Sequence, residues 1–317
     1  MRALVYKKKN FLEFQNLKEE KTIKNYANVK VDYVSICGSD ILGYLGQSPG
    51  RIPPLVLGHE FTGNYNSRNV VVNPIIASKN LRHGNINSNL DKDMKLLGLH
   101  THGALRENVN VPKTNLLFFN HKKYPSHLMS LTEPLACAIN AVNSATNIKP
   151  SDKVLVIGNG CLGFMICLIL KLRKFKKVYV YDKLRKKRDL SKINGSKSLL
   201  LNQINKNTYQ AIFDCVSSTS TQKLSLKSIK NGGKIMLVGY KVNAKGFDLV
   251  EVVRRQISII GIMAYNTIEF KQAFNIIKKN FKIFKGIVKI YKFSESKKAF
   301  KMASNKNNIF LRHIIKL

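Results

Sequence analysis

Three short segments of the 317-residue sequence carry side chains that bind metals: Cys37 in CGSD, His59 and Glu60 in GHEFTG, and Glu133 in TEPLA. A cysteine thiolate, a histidine nitrogen and a carboxylate oxygen are all zinc ligands, and a catalytic zinc keeps three protein ligands and one open position for a reactant. Singly, each residue has an ordinary structural use, as a small buried thiol, a hydrogen-bonded ring or a first-turn carboxylate. Metal chemistry enters because they occur together, upstream of a glycine motif of a different kind.

That motif is Gly158, Gly160 and Gly163, a GxGxxG that follows the apolar run KVLVI and opens the helix-like run FMICLILKLRKF. The first glycine permits a tight turn, the second lets the backbone approach a pyrophosphate, and the third lets helix and strand pack closely. The helix start adds unpaired N–H groups for the phosphates. Asp182 ends the next strand-like run, KVYVYD, at the place where a carboxylate accepts hydrogen bonds from ribose hydroxyls. Gly158, Gly160, Cys161, Leu162, Gly163, Asp182 and Lys187 are therefore the candidate cofactor-binding residues. The carboxylate favours NAD over NADP, while Lys183, Arg185, Lys186, Lys187 and Arg188 offer partial compensation for an extra phosphate.

The elements that must position these groups differ along the chain. From residue 1 to about 140, short β-type runs such as NVKVDYVSI and NVVVNPII alternate with polar, Gly- and Pro-bearing loops, which predicts a mostly antiparallel β domain. After Lys149 the pattern changes to KVLVIG, KVYVYD, AIFDCV, KIMLVGY and SIIGIMAY, separated by helical stretches. Strands alternating with helices predict a doubly wound parallel sheet. Two helix-like and two strand-like runs close the sequence, and a tail of this kind is expected to return to the first domain. The expected boundaries are residues 1–143 with 266–317 for one domain, and 144–265 for the other.

Composition sets further bounds. The sequence has 54 basic and 18 acidic side chains, a formal net charge of +36, and 44% hydrophobic residues. Such charge suits anionic ligands, but no aromatic RNA-binding motif, zinc finger or helix-turn-helix pattern accompanies it, so nucleic acid is not the expected partner. The longest apolar run, Cys161 to Leu170, is about half a membrane span. Early basic residues with no apolar run behind them are not a secretory signal, and the expected location is cytoplasmic. Five cysteines without a CxxC pair do not form a disulfide framework.

CGSD, GHE, EP and GxGxxG with its acidic residue, taken in this order over nearly the whole chain, resemble the zinc-containing medium-chain dehydrogenases, most closely the sorbitol (polyol) dehydrogenase-like branch. The resemblance implies an α/β protein with a GroES-like β-rich catalytic domain and a Rossmann domain. It implies one catalytic zinc ion with Cys37 and His59 as ligands, and Glu60 and Glu133 sharing the carboxylate roles in an order left open. Asp40 matches the carboxylate behind the ligand histidine, and Ser39 the hydroxyl that meets the substrate oxygen. The implied reaction is alcohol dehydrogenation (EC 1.1.1.-): zinc lowers the alcohol's pKa, Ser39 passes the proton outward, and hydride leaves the carbinol carbon for NAD. A polyol or sugar-derived secondary alcohol is the implied small-molecule substrate, and SIIGIMAY resembles the edge through which members form homodimers or homotetramers.

Two departures from that family are visible. The stretch from Asn73 to Asp93, where many relatives bind a structural zinc through four cysteines, has no cysteine, and Ser78, Asn80 and His83 do not replace them. Leu42 stands where relatives often carry a relay histidine, so proton exit is expected through Tyr44 or water. His100 and His102 are further candidates near a substrate mouth, with a solvated loop role preferred. The rival readings are a zinc-free reductase of the quinone-reductase type and a non-catalytic basic scaffold for nucleic acid or anionic surfaces.

Overall fold

A computed structural model describes residues 1–21, 23–77, 88–240, 243–305 and 307–317. The chain forms two compact units, Met1–Glu133 with Tyr265–Leu317, and Pro134–Ala264. Ser78, Asn80 and His83 lie outside the described residues.

In the first unit the central strand is Tyr26–Ser35, where Ala27, Val29 and Val31 are buried while Asn28 and Lys30 face solvent. This alternation is the two-residue period of a half-buried strand. The register shifts between Val31 and Tyr33, and beyond it both Val34 and Ser35 are buried. Its antiparallel neighbours are Glu60–Tyr65 on one side and, on the other, Asn108–Pro112 and Arg312–Lys316. Arg68–Val72 and Leu116–Phe119 extend the sheet beyond Glu60–Tyr65, and Val288–Lys292 extends it beyond Arg312–Lys316 in the parallel sense. A smaller sheet of Phe11–Asn16, Arg2–Lys8 and Leu55–Val56 encloses, with the first, a core that includes Leu4, Val34, Val56, Phe61, Val72 and Leu105.

The second unit is a parallel sheet of six strands. In spatial order they are Lys197–Leu199, Lys177–Tyr181, Lys153–Ile157, Tyr209–Asp214, Ile229–Leu237 and Ser258–Gly261. This is the 3-2-1-4-5-6 arrangement of the Rossmann fold, which reverses direction next to the first strand. Helix Cys161–Leu172 buries every residue from Gly163 to Leu170, so its apolar run is explained by enclosure rather than by a membrane. Among the described residues no helix is long and apolar enough to cross a membrane. The unit's first helical residues are tied to its last loop, because Asn140 Nδ2 donates to the carbonyls of Ala264 at 2.9 Å and Met263 at 3.3 Å.

Candidate active site

Sheet register assembles the metal-binding side chains. Ser35 pairs with Glu60 on one side and Ile314 on the other, and the Ile36 N–H continues the ladder to the His313 carbonyl at 2.9 Å. One residue further, Cys37 leaves the strand to start helix Gly38–Tyr44 opposite Arg312. Cys37, His59 and Glu60 thereby bring one potential ligand atom each to within 4.8 Å of one another.

Asp40 organises this cluster from behind. Its side chain is fully buried; Oδ2 accepts the Cys37 N–H at 3.1 Å, and Oδ1 lies 3.4 Å from the Gly58 nitrogen, 3.4 Å from Arg51 Nη2 and 3.3 Å from His59 Nδ1. Burial raises the carboxyl pKa, but the His59 and Arg51 charges outweigh it and hold Asp40 at about 2. Burial likewise disfavours a charged His59, yet Asp40, with Cys37 also contributing, raises the ring well above its ordinary pKa. Nδ1 faces Asp40 Oδ1 at 3.3 Å as an ion-pair neighbour without a hydrogen bond, so Nε2 is the ring nitrogen left for a metal.

Glu60 is also buried, and both of its oxygens meet Arg312, Nε donating to Oε2 at 2.9 Å and Nη2 to Oε1 at 2.7 Å. The same Nη2 lies 3.8 Å from Cys37 Sγ. Glu133, buried in the first turn of Thr132–Ser144, is not part of the three-residue cluster. A cysteine sulfur, an imidazole and a carboxylate converging beside the buried Asp40 fit a zinc ion with one coordination position left open.

In the second unit each glycine of the motif has a separate physical reason. Gly158 has a φ of +92°, and a side chain there would meet Val216 Cγ2 at 2.7 Å. A Cβ on Gly163 would overlap the Gly158 carbonyl oxygen, whereas one on Gly160 would meet nothing within 4 Å. That open space in front of the N-terminus of Cys161–Leu172 is what a pyrophosphate needs. Leu162 is half-buried in this first turn, and the buried Cys161 turns Sγ toward Met165 Sδ at 3.9 Å. Asp182 accepts the Asn159 N–H through Oδ2 at 2.9 Å and the Leu184 N–H through Oδ1 at 2.9 Å, which fixes its carboxylate beside the turn. Lys187 contributes its carbonyl, which accepts from Asn159 Nδ2 at 2.7 Å.

Other candidates fall elsewhere. His100 and His102 are exposed, and each Nδ1 accepts a backbone N–H, from Leu96 at 3.0 Å and Val56 at 3.1 Å. They brace local backbone and are not part of the metal cluster. Tyr44 packs edge-on against Phe300 at 5.6 Å. The polar neighbour of Ser39 is Arg51, whose Nη2 donates to Ser39 Oγ at 3.0 Å. Sequence reasoning missed both Arg51 and Arg312. A signal existed for Arg312, an arginine among Phe310, Leu311, Ile314 and Ile315, because a buried guanidinium needs an anionic partner.

Comparison with known proteins gives two family matches: an alcohol dehydrogenase GroES-like domain over residues 24–121 and a zinc-binding dehydrogenase domain over residues 161–279. The chain is similar to L-threonine 3-dehydrogenase of Caldanaerobacter subterraneus subsp. tengcongensis, 28% identical over 74% of each protein. It is also similar to D-arabitol-phosphate dehydrogenase of Enterococcus avium, 26% identical over 89% of this chain and 87% of that one. Among solved structures, 2R,3R-butanediol dehydrogenase from Bacillus subtilis shares the fold with a TM-score of 0.86 at 22% identity, over 100% of this chain and 99% of that one.

Proposed function

The chain belongs to the zinc-dependent medium-chain dehydrogenase family, and from that membership we propose how its residues divide the work of oxidising a polyol or sugar-derived secondary alcohol with NAD. When bound, zinc polarises the alcohol or ketone oxygen and NAD carries the hydride, so that alcohol and ketone interconvert. Cys37, His59 and Glu60 hold the metal. Asp40 fixes the His59 ring, and Arg312 fixes the Glu60 carboxylate. Ser39 meets the substrate oxygen, and Glu133 stands outside the ligand set. Gly158, Gly160, Cys161, Leu162 and Gly163 receive the pyrophosphate, and Asp182 the adenosine ribose, with Lys187 holding the turn through its carbonyl.

The observation that carries this reading is the convergence of the Cys37, His59 and Glu60 donor atoms within 4.8 Å, with Asp40 behind the ring. The half-exposed edge strand Ser258–Gly261 suits pairing into a homodimer or homotetramer, and the five free cysteines suit a cytoplasmic location. The test is metal analysis of the purified protein together with NAD and NADP reduction over polyols, sugar phosphates and simple alcohols. One zinc per chain, and NAD turnover lost with Cys37→Ser, are expected. Protein without zinc, or turnover unchanged by Cys37→Ser, overturns the reading.

A further inference from the structure

Arg51 is the buried charge that the metal cluster does not need as a ligand. Its side chain is 3% exposed, Nη1 donates to Ser48 Oγ at 3.4 Å, Nη2 is shared between Ser39 Oγ at 3.0 Å and Asp40 Oδ1 at 3.4 Å, and Nε has no hydrogen-bond partner. The fold makes room for it at a cost. Gly43 lies in the last turn of helix Gly38–Tyr44, and a Cβ there would overlap Arg51 Cδ. The buried Nε–H without a partner is a cost of holding the guanidinium here, while Nη1 and Nη2 keep their partners in Ser48, Ser39 and Asp40.

We propose that Arg51 is a positioning residue for hydride transfer, one that commits the Ser39 hydroxyl proton to the substrate oxygen. A guanidinium carries only donors, so the bond between them has one sense: Nη2–H donates and Ser39 Oγ accepts. The hydroxyl's own proton cannot return to Arg51 and must serve another acceptor. Polarisation by the cation makes that donation stronger. In ketone reduction, hydride adds to carbon, the carbonyl π pair collects on oxygen and takes the Ser39 proton, and one proton drawn from the medium through water restores the Ser39 hydroxyl. With Leu42 offering no titratable group, Arg51 sets the direction of the hydroxyl that a relay histidine would otherwise share.

The inference rests on Ser39 meeting the substrate oxygen, and a double-mutant cycle separates the two claims. The holoenzyme and its Ser39→Ala, Arg51→Lys and doubly substituted forms are assayed with NADH and the ketone of the alcohol turned over fastest in the panel above, with zinc content and melting temperature measured alongside. Ser39→Ala is expected to lower kcat about 100-fold, as loss of a donor to a developing oxyanion does. Arg51→Lys, which keeps the charge, should lower kcat roughly 10-fold with KM little changed. The double form should be no slower than Ser39→Ala alone, with one zinc per chain throughout. Multiplying losses, or zinc lost with Arg51→Lys, overturn the role of Arg51, as does full kcat in that variant. An unchanged Ser39→Ala enzyme overturns the reading of Ser39 instead.

Discussion

Arg312 grips Glu60 with a two-pronged fork, Nε to Oε2 at 2.9 Å and Nη2 to Oε1 at 2.7 Å, with the side chains only 8% and 0% exposed. Removing one partner of such a pair strands a charge in the interior. Arg312→Met is expected to cost about 3 kcal/mol of stability, with Arg312→Lys intermediate because it restores charge without the fork. Thermal unfolding of the zinc-loaded proteins checks this, and a methionine variant that melts with the parent would contradict it.

Glu60 and Glu133 should differ in metal retention. Glu60→Gln is expected to weaken zinc binding at least roughly 10-fold, the loss that even residues behind a ligand produce. Glu133→Gln should keep its zinc, since that carboxylate is outside the cluster. Competition against a graded series of chelators reads both affinities; equal losses would place both carboxylates at the metal.

The glycines of the turn should separate stability from cofactor affinity. Gly163→Ala drives a methyl into the Gly158 carbonyl and should destabilise the second unit by about 1–3 kcal/mol or more. Gly160→Ala meets no protein atom within 4 Å, so it should melt with the parent yet bind NADH roughly 10-fold less well, because the methyl takes space needed by a pyrophosphate. Melting curves and NADH fluorescence titrations distinguish the two, and a Gly160→Ala protein with parental affinity would refute the pyrophosphate assignment.

His313 gives the fold an acid limit. It is 2% exposed, its ring nitrogens meet Tyr291 Oη at 3.0 Å and Asn308 Oδ1 at 2.9 Å, and burial, with Arg312 adding to it, lowers its pKa to about 4. The neutral ring is satisfied by accepting from the tyrosine and donating to the asparagine. The unfolded chain takes up this proton near pH 6.5 and the folded chain only near 4, so between those values unfolding binds a proton. The stability contribution is complete above pH 6.5 and falls with pH by about 1.4 kcal/mol per unit, to a total near 3 kcal/mol. Denaturant unfolding from pH 7.5 to 4.5 should show this slope in excess over His313→Gln; parallel pH curves would rule it out.

Much of this protein was legible from residue order because its elements announce themselves locally. The alternation in Tyr26–Ser35, the glycine turn and the unbroken apolar helix Cys161–Leu172 each follow from neighbours a few positions away. The three-residue strand Lys197–Leu199 escaped notice because one apolar residue in KSL has no period to detect. The order of Glu60 and Glu133 stayed open in the sequence because ligand geometry depends on strand register. Arg51 and Arg312 were missed for a related reason: their meaning lies in partners 11 and 252 positions away.

That last separation bears on how the chain folds. Closing a loop between residues 60 and 312 in a disordered chain carries the entropy of a very long tether, and each halving of its length relieves about 0.6 kcal/mol. The clasp from Asn140 to Met263 and Ala264 ties the start of the inserted unit to its end. Once Pro134–Ala264 has folded, the two segments of the first unit are joined by a short effective tether, and the last strand searches a much smaller volume for Glu60. Folding of Pro134–Ala264 thereby lowers the entropic cost of bringing Arg312 to Glu60.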